Sequence, residues 1–424
     1  RSPCSSTPTA SAPVGDRHAD VLLVGGGVAS AACAVALREG GFAGSVTLAG
    51  REPDPPYSRP PASKGYLSGA ENRDDALYRP EGWYADHDVE LLTRVSVMKL
   101  DPGACTVKLS DRSELSFGSA LLATGANVRR LDVEGADLEG LHYLRALRNA
   151  DTIRADVEDA SEVVLIGGSY IGCEVAATLT AMGKHCTVVM QEPVALSRGF
   201  GEKAGRFFQG VLEEHGVRFV GEATVERFEG SGERVEKVVL EGGRELAADA
   251  VVLGVGATPD VMLARAAKLE LGPLGGVLCD ERLRTSAQDV WAAGDMCEFR
   301  SVHHDAHVRI EHFEVAVGHG RTVAANLLGE ERAHDEVPYF WSDLADWCSL
   351  ESVGFAPHGW DEEIVRGSFE DGAFTVWYLR GCRLITALSV GGPADLDEAR
   401  RLIAQRVDLS GAREALAAPD GALP

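Results

Sequence analysis

The sequence predicts an α/β protein: two Rossmann-like dinucleotide-binding domains plus a C-terminal α+β domain. Two observations carry this. First, two segments repeat one pattern of apolar strand, glycine-rich turn, helix of small residues and second strand. One is VLLVGGGVASAACAVALREGGFAGSVTLAG, starting at Val21; the other is VVLIGGSYIGCEVAATLTAMGKHCTVVM, starting at Val163. Second, the texture changes from Pro338 onward, where EEIVRGSF, FTVWYL and RLITALSV alternate or run apolar with turns between them, as in an antiparallel meander. Asp395 to Val407 then shows helical spacing through Leu396, Ala399, Leu402 and Ile403. Trp341, Trp347, Trp360 and Trp377 fall in this last part.

The elements divide the chain as follows. Residues 1–16 read as a Ser/Thr/Pro/Ala-rich disordered tail. The first dinucleotide domain takes 17–118 and resumes at 246–327, with strand-like runs at Ala120–Ala123 and Ala250–Val255 near the crossings. The second takes 119–245, and the α+β domain takes 328–424. A chain of 424 residues is long enough for this division.

Composition narrows the function. The chain is 45% apolar and 25% charged, which excludes wholesale disorder. With 41 basic and 65 acidic residues the net charge is −24, which argues against nucleic acid and anionic membrane as partners. The longest uncharged run, Val21–Leu37, is broken by glycines and short for a span of about 20 residues. Nine scattered cysteines without a C-x-x-C pair point to free thiols in a reducing compartment, the cytoplasm. His303, His304, Asp305, His307 and His312 read as a polar loop rather than a metal site.

The two turns carry the chemistry. Gly25 permits the tight bend, Gly27 lets backbone approach a pyrophosphate, and Ser30 fills the small position where helix meets strand. The helix start adds free N–H groups and a positive dipole end. Glu52, just after the second strand, is the candidate for ribose hydroxyls, one residue late because Arg51 precedes it. The second turn reads Gly167, Gly168, Ser169, Tyr170, Ile171, Gly172, followed by Glu174; Ser169 replaces the middle glycine. Met190 stands where a ribose carboxylate is usual, Glu192 follows, and Arg198 is the nearest cation, which favours NADH over NADPH. Two turns in one chain suggest a tightly held flavin plus an exchanging nicotinamide.

With these residues in order, the chain resembles the FAD-dependent NAD(P)H ferredoxin and rubredoxin reductases of oxygenase systems, and the flavoprotein core of apoptosis-inducing factor. The resemblance runs through Gly25–Ser30, PYSRPPASK (Pro56–Lys64), Ala123–Thr124–Gly125, Gly167–Glu174, GVGATPD (Gly254–Asp260), AAGD (Ala292–Asp295), RIEHF (Arg309–Phe313) and FWSD from Phe340. It implies that the first domain binds FAD and the second NAD(H). Arg59 and Lys64 are then implied beside the flavin, where a cation stabilises the reduced ring. Asp295, preceded by Gly294, is implied at the ribityl chain. Thr124, Gly125 and Arg129 are implied as FAD contacts, Glu174 near the nicotinamide amide, and Gly256 and Pro259 in the nicotinamide floor. Glu311, His312, Phe313 and Trp341 complete the implied site. Lys64, Arg59, Glu174 and Phe313 carry its catalytic roles.

Ala62 departs from the usual leucine, and Phe313 from the usual tryptophan over the flavin. Between Gly50 and Val97 there is no cysteine, so the redox disulfide of related reductases has no counterpart there. The implied activity is hydride transfer from NADH to FAD, then single electrons to a small redox protein, foremost a [2Fe–2S] ferredoxin serving an oxygenase or cytochrome P450, with rubredoxin behind it. An acidic ferredoxin would need a local basic patch, from Arg129, Arg130, Arg145 and Arg148 or from Arg300, Arg309 and Arg321. The alternatives are an NADH-sensing scaffold like apoptosis-inducing factor, or an NADH oxidase or quinone reductase. The protein is expected as a monomer or homodimer.

Overall fold

The computed structural model describes residues 17–304, 306–392, 394–419, 421 and 423. The expected tail and Asp305 lie outside the described residues. The first glycine pattern folds as a parallel sheet. His18–Val24 pairs with Val46–Ala49 on one side and with Glu114–Leu122 on the other, and Val89–Leu92 lies beyond Val46–Ala49. Strands as apolar as VLLV and VTLA suit a sheet covered on both faces. Glu114–Leu122 changes neighbour along its length: its first residues pair antiparallel with Thr106–Leu109, and its last three pair in parallel with Val290–Ala292. Helix Val28–Glu39 leaves the first turn and packs along helix Phe313–Leu327.

The second pattern builds a parallel sheet in the order Arg218–Val220, His185–Val189, Glu162–Ile166, Ala250–Leu253, Leu141–Tyr143. This corrects two expected boundaries. Ala250–Leu253, assigned from sequence to the resumed first domain, pairs in parallel with Glu162–Ile166 and belongs to the second sheet. The division at 118/119 cuts through Glu114–Leu122, which lies wholly in the first sheet. A short buried run such as AVVL reads alike in any central parallel strand, so its pattern does not say which sheet it joins. The chain crosses between the sheets at Ala126–Val128 and Ala257–Pro259, which pair antiparallel with each other.

The C-terminal part is a five-stranded antiparallel sheet, ordered Tyr339–Leu344, Cys348–Gly354, Arg383–Val390, Ala373–Arg380, Glu362–Ser368. Helix Ala394–Ala404 buries Leu396, Ala399, Leu402 and Ile403 against Val353, Trp377, Leu379 and Leu384, matching the spacing in the sequence. The other face turns toward the second domain, where Phe374 and Tyr378 share a core with Phe200 and Phe208. The Tyr378 hydroxyl donates to the Phe200 carbonyl at 2.7 Å. The edge strand Tyr339–Leu344 brings Phe340 and Ser342 on that face, and Trp341 on the other, to the rim of the functional cleft.

Candidate functional site

One cleft of about 1100 Å³ runs from the first glycine turn to the second. At its first end Gly25 has φ +124°, and a Cβ there would sit 2.1 Å from the Ala123 carbonyl oxygen. A Cβ on Gly27 would meet nothing within 4 Å and would stand in free space beside the cleft. Helix Val28–Glu39 starts with no side-chain cap and no acid in its first turn. Helix Tyr170–Ala181, which starts at the second turn, has neither as well. Two uncapped helix starts open toward an anion, and the space left by Gly27 admits a diphosphate close to the backbone. Gly167 repeats the bend, with φ +113° and a Cβ position 2.4 Å from the Gly254 carbonyl oxygen. Gly172 is required by contact, because its Cβ would stand 2.0 Å from the Gly167 carbonyl oxygen. Ser30, the first turn's counterpart, is fully buried with its hydroxyl unpaired.

The first end is bound together by charge. Arg59 donates to Glu52 Oε1 at 2.7 Å, to the Tyr57 hydroxyl and to the Arg145 carbonyl. The Tyr57 hydroxyl donates to Glu52 Oε2 at 2.5 Å. Burial alone would raise the Glu52 pKa, but Arg59 and the tyrosine hydrogen bond outweigh it and hold the carboxyl below its usual value. Arg145 donates to Asp295 at 2.9 Å. Arg309 donates to the Asp295 carbonyl at 3.1 Å and pairs with Glu311. Thr124 and Gly125 line the cleft, with the Thr124 hydroxyl given to the Asp260 carbonyl at 2.6 Å. Arg51 reaches Asp260 and Asn127 across the domain crossing.

Lys64 and Glu174 meet in the middle. Their ion pair is 2.7 Å long, with side chains 15% and 5% exposed. The Glu174 carboxylate also accepts from Ser63 and Ser342, each at 2.5 Å. This carboxylate therefore joins the first domain, the second-domain helix and the C-terminal sheet. The Lys64 ammonium lies 5.2 Å from the Trp341 ring. Phe313 opens its helix at the cleft wall. His312 before it is half-buried beside Phe340, with Nδ1 enclosed and unpaired, and desolvation pushes its pKa down to about 4. Ser169, Tyr170, Ile171 and Gly256 line the second end, where Tyr170 packs 4.4 Å from Phe340.

Several expected residues stand elsewhere. Arg129 is exposed and lies outside the cleft lining; Arg145, which sequence reasoning offered only for a docking patch, is the arginine in the lining near it. Arg145 and Arg309 turn inward to Asp295, so they leave both proposed patches, while Arg130, Arg148, Arg300 and Arg321 stay exposed. Glu192 is half-buried, outside the lining, and paired with Arg198. Met190 is buried against Gly168, with no room there for a solvated carboxylate. Sequence reasoning missed Tyr57, Ser63 and Ser342 as partners, although two lie within the PYSRPPASK run. His304 bonds to Ser301 and the Phe355 carbonyl, and His303 to the Asp335 carbonyl. Among the described residues no group of three or more His, Cys, Asp or Glu is placed to hold a metal ion. No helix of the described residues is long and apolar enough to cross a membrane.

Comparison with known proteins places this geometry. Residues 19–320 match the pyridine nucleotide-disulphide oxidoreductase family, and residues 339–423 match the reductase C-terminal domain. The chain is 34% identical to rhodocoxin reductase of Rhodococcus erythropolis, covering 92% of this chain and 90% of that one. It is 33% identical to putidaredoxin reductase of Pseudomonas putida, covering 92% of each. A ferredoxin reductase structure from Rhodopseudomonas palustris superposes with a TM-score of 0.90 at 32% identity, covering 95% of this chain and 97% of the other. A covalent complex of putidaredoxin reductase with putidaredoxin gives 0.88 at 33%, covering 93% and 94%. The chain belongs to the pyridine nucleotide-disulphide oxidoreductase family and binds FAD and NAD(P)H.

Proposed function

We propose that this protein oxidises NADH and passes the electrons one at a time, through FAD, to a small redox protein, foremost a [2Fe–2S] ferredoxin serving an oxygenase or a cytochrome P450. The observation that carries the reading is a single cleft joining both glycine turns with no cysteine among its lining residues. The dithiol that names the family has no place there, so the electrons need an acceptor from outside the chain. Relatives named as reductases of rhodocoxin, rubredoxin and putidaredoxin support the acceptor class.

Bound FAD supplies the exchange between a two-electron donor and one-electron carriers. The residues of this chain do the positioning. The Gly25–Gly27 backbone and the start of helix Val28–Glu39 would take the diphosphate, Glu52 a ribose and Asp295 the ribityl chain. Arg59 and Arg145 keep those two carboxylates in place. The Lys64 ammonium, fixed by Glu174, puts positive charge on the cleft wall and favours electron-rich states of a ring lying against it. Phe313, Tyr170, Phe340 and Trp341 supply apolar walls that exclude water and stack with flat rings.

The preference for NADH rests on Glu192, which follows the second strand just beyond the cleft lining and is paired with Arg198. A carboxylate after the second strand accepts from ribose hydroxyls and repels a 2′-phosphate. Eight free cysteines among the described residues fit a reducing compartment, which we read as the cytoplasm. The test is an anaerobic titration with NADH and then NADPH, followed by visible absorbance, with oxidised ferredoxin added last. NADH should bleach the flavin at lower concentration than NADPH, and ferredoxin should restore it. A long-lived reduced complex that ferredoxin does not reoxidise would move the protein to the sensing-scaffold reading.

A further inference from the structure

The strand Val290–Ala292 carries the chain to Asp295, and its ladder ends there: the Ala293 N–H still donates to the Leu122 carbonyl at 2.9 Å, but the next N–H does not. Gly294 is buried, with φ +71°, so its N–H turns away from the sheet into the core. A buried N–H without an acceptor is costly. Here the acceptor is His319 Nδ1, at 3.1 Å. His319 is fully buried in the middle of helix Phe313–Leu327, next to Phe299 and His334.

Because the backbone can only donate, Nδ1 must be the bare nitrogen and Nε2 must carry the ring proton. Nε2 is buried with no hydrogen-bond partner. The ring thus leaves its own N–H unpaired and keeps the bond to Gly294. Asp295, one residue on, is held from two other sides, by Arg145 at its carboxylate and by Arg309 at its carbonyl. The third restraint, on the amide that starts the turn, comes from His319.

We infer that His319 is a positioning residue for FAD: its Nδ1 orients the Gly294 amide and so aims Asp295 into the cleft. The inference rests on reading this end of the cleft as the FAD site. Without the acceptor, the turn in the empty protein is free to swing its N–H toward water. FAD binding must then restore the turn, so the loss appears in affinity rather than in the stability of the empty protein.

Asn places its amide oxygen close to where His holds Nδ1, whereas Leu has similar bulk and no acceptor. FAD affinity, read from flavin fluorescence, should fall about tenfold or more in His319→Leu and stay within about threefold of wild type in His319→Asn. The FAD-free forms of both variants should melt alike. Equal losses in the two variants, or no loss in either, would overturn the inference while leaving the FAD reading intact. A wild-type protein that takes up no FAD would overturn both. If the leucine variant does not fold, the tautomer decides: nitrogen NMR of wild-type protein with labelled histidine should show His319 protonated at Nε2, and a proton on Nδ1 would sink the inference.

Discussion

Around the first turn, the polar side chains facing the cleft are tied to one another: Glu52 to Tyr57 and Arg59, Arg59 to the Arg145 carbonyl, Arg145 to Asp295. Around the second turn, apart from Glu174 at the junction, the polar groups are open. Ile171 is 42% exposed, Ser169 makes one 3.3 Å contact to the Gly254 carbonyl, and just beyond the lining the partner of Glu192 is Arg198, itself 78% exposed. The same strand–turn–helix unit is therefore used twice with different surroundings. A preorganised, partly desolvated wall lowers the ordering cost of a ligand and slows its escape, while an open one lets a ligand come and go. The difference matches a resident FAD on the first turn and an exchanging nicotinamide on the second.

The largest expected effect breaks the turns one at a time. Gly25→Ala forces a Cβ onto the Ala123 carbonyl in a backbone region that L side chains avoid, so FAD affinity should drop by about a hundredfold or more and the protein should purify colourless. Gly167→Ala makes the matching clash at Gly254, and should leave the yellow colour while NADH bleaching needs about a hundredfold more NADH. Loss of FAD in both variants would erase the contrast between the turns.

Acid should attack the first side before the second. Burial holds His312 and His334 at about 4 and His319 well below the usual histidine value, and all three lie on or behind the first side. Their pKa values are depressed on folding, so the unfolded chain binds more protons once the pH falls below about 6.5. Stability is full above that pH and declines toward about pH 4, by up to about 1.4 kcal/mol per pH unit for each histidine. Melting temperature and flavin release followed together from pH 7 to 4 should fall in step. A flat profile across that window would show that these rings are not buried neutral.

The junction between the two sides gives a smaller effect with a diagnostic sign. Lys64→Met removes positive charge from the cleft wall and should lower the flavin potential; Glu174→Gln leaves Lys64 unneutralised and should raise it. Each shift should be on the order of 30 mV in a two-electron titration. Shifts of the same sign would make the pair a structural tie only. Smallest is Glu192→Ala, which should narrow the NADH-to-NADPH ratio in kcat/KM by about threefold and leave the flavin potential unchanged. An unchanged ratio would move nicotinamide selection elsewhere on the second side.

Much of this was legible in the residues themselves. Both glycine turns, the C-terminal strands and the helix through Leu396, Ala399, Leu402 and Ile403 are written in spacings of two to four residues, where backbone geometry acts directly on sequence. Glu52, Lys64, Asp295 and Phe313 could be placed at the cleft because each adjoins such a motif. Their partners could not. Glu174 meets Ser63 and Ser342 from distant parts of the chain, Arg145 meets Asp295 across the domain crossing, and Gly294 finds His319 from another helix. Arg129 and Arg145 look alike on the page, and only the turn of the chain after Leu141–Tyr143 sends one inward and leaves the other in water. Ala250–Leu253, assigned from sequence to the first domain, joins the second sheet for the same reason. Local spacing sets which element forms and which face is apolar, whereas a buried charge or amide takes whatever partner the packing of remote elements brings within hydrogen-bond reach, and that choice exists only in the folded chain.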